Sequence, residues 1–373
     1  MKTAIIDNGI DSETLKLYPG SMEHLTVSKG KVCSALPRQM ITHGGLCARV
    51  FSETATVLPD ISISLVRDNT GKSNIKDLVT ALIWCAENDI KLISLSMGTT
   101  YPEDNLLIKD ILEKIKAADI IIVAAANNQG RITIPAASDS CIGVCYEPLS
   151  LNKVSKSHFF YISNPFDGID IITYPIDFPS YNITHSNSFS AAFLAGWIHR
   201  FADIKMTLKQ VRHKLSDTFG QIYPTENSLL TWHKDYLREK MFCAEEHEAI
   251  IITCCKIASA NRTIFIEKLR KIIINDGYTC AILREEKVHK PEEFRFSLHA
   301  SPLSLTETLL YINKMCRPSV ILSDIHSIMD ISDVIVYSRG TSAPKSKTAE
   351  LIYCLEEKDP DKIWIEISDK FRE

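Results

Sequence analysis

Short apolar runs alternate with longer segments of helical periodicity from the first residues onward, and that order admits few folds. "TAIIDNG", residues 3–9, reads as a strand that stops at Asn8-Gly9. "SNIKDLVTALIWCAEN", residues 73–88, sets Ile75, Leu78, Val79, Leu82, Ile83 and Ala86 at the spacing of an amphipathic helix, with Ser73 or Asn74 as its cap. "IKLISLSMG" follows as a buried strand. "NLLIKDILEKIKAAD" repeats the helical spacing through Leu107, Ile111, Leu112 and Ile115, and "IIIVAAANNQG" is a second buried strand ending in turn residues. Strand, helix and strand in that order make a β-α-β unit with a right-handed crossover. The expected fold class is therefore α/β with a largely parallel sheet.

With 373 residues the chain is long enough for two domains. After a helical "TLKQVRHKLSDTF", the polar stretch "CAEEHEA" at residues 243–249 sets the expected boundary, giving domains 1–242 and 246–373. Beyond it, "AIIITCC", "TCAILRE", "SVILSDI", "DVIVYS" and "KIWIEIS" are five strand candidates of a smaller α/β domain.

A formal net charge of −4 offers no basic footprint for nucleic acid. No apolar run approaches the ~20 residues that span a bilayer, and "MKTAIIDNGID" lacks the apolar core of an export signal. The sequence reading is of a cytoplasmic protein with no nucleic-acid or membrane partner. Eleven cysteines then fit reduced, mostly buried thiols. Cys141 and Cys145, if on one strand, stand about 13 Å apart, too far to bridge or to share a metal. No metal site and no cofactor are expected.

Three polar residues stand at element ends, where α/β proteins tend to place reactive groups. Asp7 closes the first strand. His43 opens "HGGLCARVF", whose two glycines each cost a helix up to about 1 kcal/mol relative to alanine, a cost that implies close approach of another backbone. Ser188, in "HSNSFSAAFLAGW", stands at the mouth of an alanine-rich helix; its plainest reading is an N-cap, but the helix dipole there also favours a reactive oxygen and a developing anion. A nucleophilic serine needs a base, and the base needs a carboxylate. All three types are present.

Taken together, over residues 1–215, these stretches resemble the subtilisin-like serine proteases, the subtilases. "AIIDNGID" is similar to that family's strand ending in Asp-Thr/Ser-Gly, "HGGLCARV" to its His-Gly-Thr-x-x-Ala-Gly helix, and "SNSFSAAFLAG" to its Gly-Thr-Ser-x-Ala-x-Pro motif. "IIVAAANNQG" resembles the family's Ala-Ala-Gly-Asn strand end, and "LISLSMG" the strand lining the peptide cleft. The resemblance implies a subtilisin-like, parallel-sheet, three-layer domain followed by the smaller α/β domain. It implies a triad of Asp7, His43 and Ser188, an oxyanion donor at Asn128, and substrate contacts at Ser96, Met97 and Gly98. Arg131 and Thr133 follow the asparagine where family members build a pocket wall. The chain departs from the motifs at Asn8, Gly45, Arg49, Ser186-Asn187 and Ala192. No catalytic side chain is lost, so a specialised, slow or narrow protease is expected.

In the second domain, "TCCKIASANRT" has the layout of a phosphate loop, but Asn261-Arg262-Thr263 stands where Gly-Lys-Thr belongs and the glycines are missing. Docking of substrate or of a protein partner is the expected role there, and Asp324 and His326 after a strand do not share a face. Two functions follow. One is a serine endopeptidase, competent without an N-terminal inhibitory domain, that cleaves a specific peptide or protein, such as the leader of a ribosomally made precursor. The other is an inactive subtilase fold kept as a binding or assembly partner.

Overall fold

A computed structural model describes residues 1–17, 22–65, 73–146, 159–162, 165–173, 186–202, 205–219, 221–222, 234–235, 237–238, 240–241, 244, 246–257, 259–285, 290–338, 344, 346, 348–354 and 359–371. The chain divides into two compact units, Met1–Trp232 and His233–Glu373. Residues 242, 243 and 245 of the expected boundary lie outside the described residues.

Among the described residues ten strands build the sheet of the first unit: β1 (Thr3–Asp7), β2 (Glu23–Ser28), β3 (Lys31–Ser34), β4 (Ile61–Leu65), β5 (Leu92–Leu95), β6 (Ile121–Ala125), β7 (Ile142–Tyr146), β8 (Phe159–Ile162), β9 (Ile171–Thr173) and β10 (Gln221–Ile222). They lie in the order β10-β8-β9-β7-β6-β5-β1-β4-β2-β3. All neighbours are parallel except the β2–β3 and β8–β9 pairs. Every residue of β1, β4, β5 and β6 is buried, as expected of strands covered on both faces.

Among the described residues six helices accompany this sheet: α1 (Ser12–Leu17), α2 (His43–Ala55), α3 (Ile75–Glu87), α4 (Asn105–Ala117), α5 (Asn187–Phe201) and α6 (Leu208–Phe219). Asn74 caps α3 by accepting from the Lys76 N–H, which decides between the two cap candidates. Because side chains alternate along a strand, Ile5, Ile121, Val123 and Ala125 meet Val50 and Phe51 of α2 and Ala191, Leu194 and Ala195 of α5 in one core. The small residues of α5 let it run deep beneath α2, and among the described elements the two helices are the most extensively packed pair. Outside this core α3 packs on α4 and against β2 to β4, so the sheet carries helices on both faces.

The second unit holds an all-parallel sheet of β11 (Ile250–Cys254), β12 (Cys280–Arg284), β13 (Arg295–Ser297), β14 (Val320–Ser323), β15 (Val334–Tyr337) and β16 (Leu351–Cys354), in the order β13-β12-β14-β11-β15-β16. Helices among its described residues include α7 (Ser259–Asn275), α8 (Leu305–Cys316) and α9 (Pro360–Lys370). Four of the five strand candidates are β11, β12, β14 and β15. "KIWIEIS" is a correction: it lies within α9, where Asp359 caps the helix, Pro360 takes the first position, and Ile363, Trp364 and Ile367 are buried at helical spacing. At the carboxyl ends of the central strands, Asp324 is buried and its Oδ2 accepts from Arg284 Nε at 3.0 Å, with Arg262 Nε of α7 at 3.5 Å. His326 is exposed and opens a short 3₁₀ turn.

No helix among the described residues is long and apolar enough to cross a membrane. None of the ten described cysteines is in a disulfide, and all are buried but Cys33, with Cys141 just before β7 and Cys145 within it.

Candidate active site

Asp7 is the last residue of β1, fully buried at a strand end that abuts the first turn of α2. Its Oδ2 lies 2.7 Å from His43 Nδ1, the Asn8 N–H donates to Oδ1 at 2.6 Å, and the Ser96 hydroxyl donates to Oδ2. Burial pushes this carboxyl up. The His43 hydrogen bond and charge, the Ser96 hydroxyl and the Asn8 N–H outweigh that and hold its pKa below the usual carboxylate value. A carboxylate ionised at neutral pH therefore fixes the imidazole by Nδ1 and leaves Nε2 for proton transfer.

His43 is the first residue of α2, with Thr42 as N-cap accepting from the Gly45 N–H at 2.9 Å. The glycines serve the close approach that their cost implied. An added Cβ at Gly44 would stand 2.3 Å from the Gly9 carbonyl oxygen, and one at Gly45 1.8 Å from Asp11 Oδ2. Asn8, where the family has Thr or Ser, accepts the Gly44 N–H at 2.8 Å and so joins the strand end to the helix start. Asp11, unmarked in the sequence, is fully buried and holds Thr42 and Thr14 by their backbone and hydroxyl groups. Arg49 donates to Thr14 Oγ1 at 2.8 Å and reaches Asp11 Oδ1 at 3.4 Å. Gly45 and Arg49 thus belong to one arrangement, in which the Asp11 carboxylate takes the space a side chain at 45 would need.

Ser188 is not the N-cap. Ser186 caps α5, its side chain accepting from the Phe189 N–H, and Ser188 sits buried in the first turn, where backbone N–H groups are unpaired within the helix. Phe189 carries the link to the base: its ring stacks on the His43 imidazole with centroids 5.1 Å apart and planes at 28°. Asn128 follows β6, and its Oδ1 accepts from the Asn187 N–H at 3.0 Å.

Ser96, Met97 and Gly98 follow β5 and line a cavity of about 520 Å³, together with Asn127, Asn128 and Ser188. Arg131 and Thr133 lie in its wall as well. The segment beyond Gly98 is pinned by reciprocal backbone bonds between Thr99 and Ile134 of 2.8 and 2.9 Å. Thr133 also accepts the Asn127 N–H at 2.9 Å. Ser96 therefore has two placements, cavity wall and partner of Asp7, of which the sequence indicated only the first.

Cys47, one turn along α2, puts its thiol 3.8 Å from His43 Nδ1. Burial and the Asp7 charge push that thiol well above its ordinary value, so it stays protonated and is no rival nucleophile. Asp7, His43 and Cys47 also bring their ligand atoms within 4.8 Å of one another, but a cation there would compete with the Asp7–His43 bond.

Residues 1–197 match the model of the subtilase family of peptidases. The chain belongs to the subtilase family. Among curated proteins it is similar to subtilisin DY of Bacillus licheniformis, 26% identical over 237 residues that cover 58% of this chain and 83% of that one. Among solved structures it is similar to a lanthipeptide protease, with 16% identity and a TM-score of 0.44 over 58% of this chain and 79% of the other. Another is the prenylagaramide maturation protease PagA, with 17% identity and a TM-score of 0.37 over 52% and 72%. Membership makes this a subtilase-family protease by descent. Asp7 closes β1, Asn128 follows β6, and His43 and Ser188 stand in the first turns of α2 and α5.

Proposed function

We propose that this subtilase is an active serine endopeptidase in which Ser188 attacks a peptide carbonyl. His43 takes the serine proton and passes it to the leaving amine, while Asp7 holds the imidazole and balances its charge. The Asn128 amide and the Ser188 N–H bind the oxyanion. Ser96, Met97 and Gly98 hold the peptide along the cavity. The observation that carries the reading is the short Asp7–His43 bond on an imidazole stacked against the residue that follows Ser188. An inactive fold kept for binding has no need of a buried, ionised carboxylate aimed at that ring.

The proposed substrate is one specific peptide or protein rather than protein at large, with the leader of a ribosomally made precursor as the first candidate. Labelling by a fluorophosphonate tests the chemistry, since only a working triad activates Ser188. Wild type is expected to label stoichiometrically and Ser188→Ala not at all. Equal labelling of both proteins, or of neither, overturns the assignment. Incubation with precursor peptides from neighbouring genes, casein serving as comparison, tests the substrate: one cut at one site is expected, and general digestion of casein defeats the narrow reading.

A further inference from the structure

Asn187 stands immediately before Ser188 and is buried, 4% exposed, with every polar atom of its side chain engaged. Its Nδ2 donates to the Ala126 carbonyl at 3.0 Å and to the Asn127 carbonyl at 3.1 Å, while its Oδ1 accepts the Tyr146 N–H at 2.8 Å. The backbone N–H of the same residue donates to Asn128 Oδ1 at 3.0 Å. One residue therefore ties the first turn of α5 to the end of β6, the end of β7 and the side chain of Asn128. A buried amide with both protons and its oxygen matched is costly to disturb, since each lost partner leaves a polar group unpaired.

From this we infer that Asn187 is a positioning residue for the oxyanion donor: it fixes the 126–128 segment against the nucleophile helix, so that the Asn128 amide meets the oxygen, and the Ser188 oxygen the carbon, of one substrate carbonyl. The inference rests on the proteolytic reading above. Threonine, which the family motif places here, has one hydroxyl proton and a shorter side chain, and cannot make this set of three bonds. Both Nδ2 protons are spent on strand-end carbonyls, so the side chain acts through Asn128 and not on the substrate. The value of such an arrangement lies in precision, because a displacement of about 1 Å at a donor costs roughly a hundredfold in rate.

The test is a double-mutant cycle between Asn187 and Asn128, with kcat expressed per site titrated by fluorophosphonate and a short peptide ester as substrate. Asn187→Ala is expected to lower kcat by about a hundredfold at nearly unchanged KM. Asn187→Asp keeps the shape but turns an oxygen toward two carbonyls, and is expected to lose at least as much. In an Asn128→Ala background, Asn187→Ala should change kcat by no more than about twofold, because its effect runs through the amide already removed. Full kcat in Asn187→Ala and Asn187→Asp overturns the inference, as does a loss of equal size in both backgrounds, which belongs to a general brace. Loss of a cooperative melt in both variants overturns it as well, by making Asn187 a folding residue. A wild-type protein that takes no label overturns the proteolytic reading and this one together; a labelled wild type with an unaffected variant overturns this one alone.

Discussion

Gly45 of α2 packs on the carboxylate of Asp11 with no room between them: an added Cβ would stand 1.8 Å from Oδ2. That carboxylate also receives Thr42, the residue that caps the helix on which His43 is first. Gly45→Ala is therefore expected to destabilise the protein by about 1–3 kcal/mol through overpacking, even though alanine is the better helix former. A melting curve reads this as a fall of roughly 2–4 °C per kcal/mol. Activity should fall with it, since the carboxylate can yield only by disturbing the start of α2. A Tm equal to or above wild type refutes the packing argument.

The second expectation concerns acid. Asp7 has a folded-state pKa below its unfolded value, so it binds fewer protons in the native protein. Its contribution to stability is fully present above the unfolded value near 3.8 and is lost as pH falls through the lower folded value. Asp7→Asn removes that contribution. Urea melts of the two proteins should differ at pH 6 and converge as the pH falls below 4, wild type losing its advantage. A difference that stays constant over that range contradicts the direction of the shift. At neutral pH the same variant should lose about 10⁴ in kcat, because an amide N–H donating to His43 Nδ1 holds the imidazole in the wrong tautomer, with its proton on Nε2.

A third concerns Asn128. As the proposed oxyanion donor it would matter chiefly in the transition state, so Asn128→Ala should lower kcat by about 10² to 10³ and leave KM for a short peptide ester almost unchanged. A loss confined to KM would make it a substrate contact instead. The measurement doubles as the background for the Asn187 cycle.

The sequence revealed what is local and periodic. Helices α3 and α4 and strands β5 and β6 carry long, regular apolar patterns, and Asp7, His43, Asn128 and Ser188 stand where such patterns stop. Bonds between distant residues left no local mark: Asp11 and Arg49 are 38 residues apart, and Asn187 reaches 61 residues back to Ala126. Gly45, Arg49 and Asn187 were visible only as departures from a motif; each has a partner that no window of sequence contains. Helix α9 failed for the opposite reason. Its Ile-Trp-Ile-Glu-Ile alternates like a strand, yet Ile365 is 56% exposed while Trp364 and Ile367 are buried, and the Asp359-Pro360 start signal was the better guide. Strand β16 is four residues long, too short for any period to register.

The Arg284–Asp324 pair bears on what the second unit can hold. Doubly wound parallel sheets receive anionic ligands outside the carboxyl ends of their central strands, where β11 and β14 lie side by side here. In this chain that place already has a resident anion: Asp324 follows β14 directly and accepts from Arg284, with Arg262 of α7 beside it. A free phosphate arriving there competes with a carboxylate that can never diffuse away, and gains no glycine-rich loop to wrap it. The unit has in effect set its own counter-ion at the strand ends, where a sheet of this kind receives an anion from outside.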